Sequence, residues 1–256
     1  MLTTLVLLVA GFVAGSVNSV AGGGSLLTFP TLLALGYPAL QANVTNTVGV
    51  FPGNLGGVTG YRRELAGQRD ILVRCFAAGM AGSVLGSALL LHTSEAAFRR
   101  VVPWLIVVAS AVVLMQPLLT RRLRAMLGAR GGEGAGRRGA GLAAPAAVGI
   151  LSVYGGYFGA AVGVMLIAAL VLFHVDTLQR INALKTALTL AVNGTSSLVF
   201  AFFAPVAWGP AATIATGTIA GGYAGAGLAR RLPDTGLRAA MVAIGVTAAV
   251  VVAVRG

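Results

Sequence analysis

Apolar residues run almost unbroken over 4–36, 40–60, 71–91, 101–119, 142–173, 181–204, 207–229 and 237–254, and most of the short stretches between them carry arginine. A helix needs about 20 apolar residues to cross the hydrocarbon of a bilayer. Six of these runs therefore predict one transmembrane helix each. The first and fifth are too long for that, since roughly 33 residues at about 1.5 Å each would reach about 50 Å. Both are interrupted by glycine: Ala21-Gly22-Gly23-Gly24 in the first, Tyr154-Gly155-Gly156 and then Gly159 to Gly163 in the fifth. Glycine weakens a helix interior and permits tight turns. Each long run is expected to be a helical hairpin, either two short spans or a re-entrant pair. The alternative is a single long, kinked helix.

The chain also matches itself. A shift of 139 carries Asn43 onto Asn182, Thr47 onto Thr186, Asn54 onto Asn193 and Arg99 onto Arg238. It also carries Gly24 onto Gly163, Gly82 onto Gly221 and Gly86 onto Gly225. No gap is needed between about residues 21 and 113. Apolar chains made of two matched halves are a common plan of secondary transporters, with the substrate site between the halves.

Arginine placement orients the halves. If both long runs go in and return, the loop arginines divide 14 to 3 between the two sides, whereas single crossings divide them 11 to 6. Cytoplasmic loops carry the excess of basic residues, which favours the hairpins. Each half then has an odd number of elements, so the halves are inverted relative to one another and both termini face away from the cytoplasm. The expected fold is an all-α polytopic membrane protein of two inverted repeats, each a Gly-interrupted hairpin plus three transmembrane helices. The repeats span 1–119 and 142–256. Between them, 120–141 reads as a cytoplasmic basic linker, with Arg121, Arg122, Arg124, Arg130, Arg137 and Arg138 attracted to anionic lipid of the bilayer.

Composition agrees with a membrane protein. The chain is 57% hydrophobic and 9% charged, against about a quarter charged in a soluble domain, and its mean hydropathy is +0.90. No Lys or Arg precedes the first apolar stretch, so it is not read as a signal peptide. The single Cys75 leaves no internal disulfide or thiolate cluster, and His92 and His174 stand far apart, so no metal site is expected. A net charge of +12 would suit nucleic acid, but the arginines sit in short loops between apolar runs, where membrane anchoring accounts for them. Nucleic acid is not an expected partner.

Candidate chemistry lies in polar stripes and glycine tips. Asn43, Asn46, Thr47 and Asn54 stand at helical spacings i, i+3, i+4 and i+11, on one face. The matched stripe is Asn182, Lys185, Thr186, Thr189 and Asn193. Asn and Thr also serve plain hydrogen bonding between membrane helices. Lys185 is the sharpest residue, because a mid-membrane lysine costs about 2.5–3.5 kcal/mol on insertion scales. A functional Lys185 attracts an anion and, as a group that can release a proton, is the candidate for proton coupling. The alternative is that its stem snorkels back to the interface marked by Arg180. The tip at Gly22, Gly23, Gly24 and Ser25 precedes a short apolar run, so a helix N-terminus would offer N–H groups and its dipole to an anion. Close helix packing explains such glycines equally well. The expected substrate site comprises Gly22, Gly23, Gly24, Ser25, Asn43, Asn46, Thr47, Asn182, Lys185 and Thr186.

No Ser-His-Asp order, His-Glu-x-x-His, Walker loop or membrane-embedded carboxylate pair is present. The chain reads as a non-enzyme without cofactor, and the lack of membrane carboxylates tilts the substrate toward an anion. The stretch NSVAGGGSLLTFPTLLALGYPALQANVTNTVGVFPGNLGGVTGYRREL from Asn18 to Leu65, and RINALKTALTLAVNGTSSLVFAF from Arg180, resemble the TauE/SafE sulfite exporter family, also called the toluene sulfonate uptake permease group. The shared pattern is a Gly-rich run, then apolar residues with a proline, then an A-x-x-T/N segment leading to a short basic loop. The Asn-x-x-Lys at Asn182 and Lys185 belongs to the second repeat. The resemblance spans essentially the whole chain. It implies a multi-pass permease of the bacterial inner membrane for sulfur-containing anions such as sulfite, sulfoacetate or related sulfonates. The expected function is alternating-access transport of such an anion. The alternatives are a passive anion channel and a non-transporting assembly subunit.

Overall fold

A computed structural model describes residues 1–20, 22–129, 142–173, 176–228 and 243. Among these residues there are nine helices and no strand: α1 (Leu2–Val20), α2 (Ser25–Ala34), α3 (Ala39–Gly60), α4 (Arg69–Leu91), α5 (Glu95–Ala129), α6 (Ala143–Tyr157), α7 (Val162–Phe173), α8 (Leu178–Phe203) and α9 (Trp208–Leu228). The expected span at 237–254 lies outside the described residues, apart from residue 243.

Both long apolar runs break where glycine was expected to break them. Gly22 and Gly23 have φ of 75° and 103°, and Gly159 has φ of 77°. Ala161 also sits in the left-handed region at φ 61°, and a shift of 139 carries Gly22 onto this position. The second break is confined to 158–161, so Gly155 and Gly156 remain inside α6. A Cβ on Gly156 would stand 2.2 Å from the Ser83 carbonyl oxygen, so that glycine serves close packing. The helices after the breaks are short. α2 has 10 residues and α7 has 12, which at about 1.5 Å per residue is roughly half the hydrocarbon thickness. Neither crosses a membrane alone.

Among the described residues, three helical segments are long and apolar enough to cross: Arg69–Leu91, Glu95–Gln116 and Gln179–Phe203. α5 continues as helix through Arg121, Arg122 and Arg124 to Ala129, into the stretch expected to be a linker. Large apolar side chains such as Leu85, Leu89, Trp104, Phe202, Phe203 and Trp208 point outward and exposed, as lipid-facing residues do.

Glycine sets the closest helix pairs. α1 packs on α9, and α4 packs on α6. Gly15 of α1 meets the Thr218 backbone, while Gly221 of α9 meets the Phe12 carbonyl, 1.9 Å from where a Cβ would stand. In the other pair Gly82 meets the Gly149 carbonyl at 2.1 Å and Gly86 the Val153 carbonyl at 2.0 Å by the same construction. Small residues let membrane helices approach in this way. The wider pattern repeats: α3 packs on α9 as α8 packs on α4, and α2 rests on α1 and α3 as α7 rests on α6 and α8. α3 and α8 pack on each other. A shift of 139 exchanges the members of each related pair.

Two apolar clusters flank this centre. One joins Leu7, Val17, Phe29, Leu32, Phe98 and Ile106 from α1, α2 and α5, and the other joins Cys75, Val148, Leu166, Leu170, Leu184 and Leu188 from α4, α6, α7 and α8. Phe29 and Phe158 meet edge to face at 5.3 Å, and Phe98 and Tyr157 at 5.8 Å. The start of α3 is held from a distance, since Glu95 accepts hydrogen bonds from the backbone N–H groups of Ala39 (2.6 Å) and Leu40 (3.1 Å). These are orphan donors of a helix N-terminus, and the carboxylate satisfies them where Pro38 offers no side-chain cap.

Candidate functional site

The two glycine breaks bring their tips together. A Cβ on Gly22 would stand 3.6 Å from Gly163 Cα, and one on Gly163 would stand 3.8 Å from Gly22 Cα. Asn18, in the last turn of α1, shapes the first tip, since its side-chain oxygen accepts from the Gly24 N–H at 2.8 Å. Gly24 itself faces α1, and a Cβ there would lie 2.4 Å from the Ala14 carbonyl oxygen. In the second tip the Tyr154 hydroxyl donates to the Ala160 carbonyl at 2.9 Å.

Between the tips and the stripes of α3 and α8 lies a polar cavity of about 20 Å³, lined by Asn18, Gly22, Gly23, Ser25, Asn54, Gly159, Val162, Gly163, Lys185, Thr186, Thr189 and Asn193. A single water needs about 10–15 Å³ on this measure, so the cavity is of water size and a four-atom oxyanion would require the tips to part.

Among the described residues, Lys185 is the only charged residue of the lining. Its side chain is 2% exposed, so it lies inside the protein and does not snorkel to the surface. A Cβ on Gly163 would stand 3.4 Å from Lys185 Cδ and 3.6 Å from Thr189 Oγ1, so the lysine stem runs alongside the second tip. Among the described residues no carboxylate pairs with Lys185. Arg180, on the first turn of the same helix, has its own partner in Asp176 at 2.8 Å. Among the described residues, Asn54 Nδ2 and Thr189 Oγ1 are buried without a hydrogen-bond partner. A cation, an amide and a hydroxyl thus line one small space with hydrogen-bonding capacity the protein itself leaves unused. Such a set stabilises an anion by charge-assisted hydrogen bonds.

Of the ten residues expected to form the site, Gly22, Gly23, Ser25, Lys185 and Thr186 line the cavity. Gly24 stands behind the tip. The remaining four hold helices together. Asn43 Nδ2 donates to the Tyr157 carbonyl at 2.9 Å. Asn46 Oδ1 accepts a short hydrogen bond from the Thr28 hydroxyl. The Thr47 hydroxyl donates to the Asn43 carbonyl at 3.0 Å, and the Thr47 carbonyl accepts from Ser197. Asn182 Nδ2 donates to the Tyr61 hydroxyl at 2.8 Å. The cavity adds Asn54, Thr189 and Asn193, all members of the two polar stripes, together with Asn18, Gly159, Val162 and Gly163. Asn18 carries no warning in the sequence, since an Asn beside a Gly-rich run reads as a turn residue.

Comparison with known proteins accords with these features. The family described as "Sulfite exporter TauE/SafE" matches residues 7–252. A probable membrane transporter protein of Haemophilus influenzae is 35% identical over 118 residues, 44% of this chain and 45% of that protein. The chain thus spans less than half the length of that relative. The probable membrane transporter protein YfcA of Escherichia coli K12 is 28% identical over 225 residues, 87% of this chain and 79% of its own length. A probable membrane transporter protein of Sinorhizobium is 30% identical over 112 residues, 43% of this chain and 42% of its own. With a helical membrane fold, glycine-broken hairpins and a family match over nearly its full length, the chain belongs to the TauE/SafE sulfite exporter family of membrane transporters.

Proposed function

We propose that this protein is a secondary active transporter of a small anion, of the sulfite or organosulfonate type, working by alternating access across a bacterial inner membrane. The observation that carries the proposal is Lys185: a buried cation, unpaired among the described residues, in a polar cavity between two glycine tips. An intramembrane ionisable residue is functional by default, and a lysine facing amides and hydroxyls has an anion as its natural complement. The family's own description names sulfite, which indicates the kind of anion.

The two halves, 1–119 and 142–256, act as inverted repeats around this site, with the basic linker 120–141 in the cytoplasm. The arginine partition and the exchange of packing partners under the shift of 139 support this arrangement. Transport by the rocking of one repeat against the other would widen the water-sized cavity as the tips separate. Lys185 is also the group through which proton coupling would act.

The test is uptake into proteoliposomes of the purified chain, across sulfite, thiosulfate, sulfate and an alkyl sulfonate, with and without a pH gradient. Saturable uptake of at least one sulfur oxyanion, lost in Lys185→Gln, is expected. No uptake of any of the four, or uptake unchanged in the variant, contradicts the reading.

A further inference from the structure

The charges around the cavity point to a selectivity that rests on the anion-carrier reading and sharpens it. We infer that the site takes singly charged anions in preference to doubly charged anions of the same shape, because Lys185 is the only charge that the described residues offer it.

The inventory is short. Apart from Lys185, the polar side chains of the lining are Asn18, Ser25, Asn54, Thr186, Thr189 and Asn193, all neutral. The acidic residues in the described parts of the chain are Glu64, Asp70, Glu95 and Asp176, and none pairs with Lys185. Asp176 is held by Arg180, and Glu95 by the amides of Ala39 and Leu40. Among the described residues the matched half brings no second cation to the lining. The shift of 139 carries Asn46 onto Lys185, and Asn46 is engaged with Thr28. The charge of the site therefore resides in one half only.

A buried charge is costly unless it is compensated. One negative charge beside the ammonium leaves the cavity neutral. A dianion leaves a net negative charge there, with only neutral donors around it, and the desolvation cost of the second charge goes unmatched. Amides and hydroxyls stabilise oxygen atoms but do not change that balance. A loaded site without net charge is also the one that meets the least resistance when the repeats move through a low-dielectric environment. Selectivity is a difference of affinities, and here the unmatched second charge supplies it.

The test uses two tetrahedral anions of nearly the same shape, methanesulfonate and sulfate, in neutral buffer where the first carries one charge and the second two. Wild-type protein in proteoliposomes should take up methanesulfonate at least about tenfold faster at subsaturating concentration, and bind it correspondingly more tightly. Asn193→Lys, which adds a cation to the same lining, should shift preference toward the dianion. Equal or faster uptake of the dianion by wild type would overturn the inference while leaving the anion carrier intact. If neither compound is taken up or displaces a sulfur oxyanion, the carrier reading fails and the inference fails with it.

Discussion

Replacing Lys185 with Gln isolates the charge in the cavity. Glutamine keeps an unbranched stem and an N–H donor, so the space beside Gly163 stays filled and the main loss is one positive charge. Two opposite unit charges about 4 Å apart attract by about 4 kcal/mol at an effective dielectric of 20. Since each 1.4 kcal/mol is tenfold, anion affinity should fall by roughly a thousandfold. The fold should not suffer. The ammonium is buried without an ion-pair partner among the described residues, so its removal relieves a desolvation cost and the ligand-free variant should melt at the same temperature as wild type or higher. Lys185→Arg keeps the charge but should recover little, because a planar guanidinium is bulkier and differs in shape from an ammonium. The assay is equilibrium binding of a radiolabelled sulfonate to purified protein, alongside thermal unfolding in detergent. A change in affinity of less than about tenfold in a well-folded Lys185→Gln protein would refute the reasoning, and the anion would then be held by amides and helix ends alone.

Three further outcomes follow from the packing and the charge pattern. Gly86→Ala and Gly221→Ala should each destabilise by about 1–3 kcal/mol, because the new methyl would stand about 2 Å from a carbonyl oxygen of the facing helix; thermal unfolding in detergent reads this, and an unchanged midpoint counts against the close helix contacts. Ala161→Gly should stabilise by up to about 1–2 kcal/mol by relieving a left-handed alanine, and Gly22→Ala at the matched position should do the opposite, with both read from the same midpoints. Reporter fusions at the Arg62–Arg63 loop should report the cytoplasm and fusions at the Thr93–Ser94 turn the opposite side; the reverse result would contradict the arginine-based orientation.

Particular residues show what the sequence made legible and what it did not. The breaks at Gly22–Gly23 and near Gly159 were legible, because runs too long for one crossing had to turn and glycine marks where. The stripe faces were legible as well: Asn54, Thr186, Thr189 and Asn193 all turn toward the cavity, as their spacing requires. Depth along the helix was not. Asn43 and Asn54 share a face but are 11 residues apart, about 16 Å along the axis. Asn54 reaches the cavity while Asn43 reaches only the end of α6 at Tyr157. Helical spacing fixes direction around an axis, and only packing decides which turn meets the tips. The extent of α5 was hidden for a related reason. A stretch of arginines among glycine and alanine reads as a loop, yet Arg121 to Ala129 carry mostly good helix formers that simply continue the span. The part Gly82, Gly86 and Gly156 play in close packing depends on the facing backbone, which a sequence does not display.

The central claim is that the anion sits between the two tips, beside Lys185. The direct measurement is an anomalous diffraction map of crystals grown with selenite, whose scatterer stands in for the sulfur of sulfite. The account predicts a selenium peak within hydrogen-bonding reach of Lys185 Nζ and the side chains of Asn54 and Thr189, with the Gly22 and Gly163 tips on either side, and its absence in Lys185→Gln crystals. A peak found only against surface arginines, with none in the cavity, would contradict it.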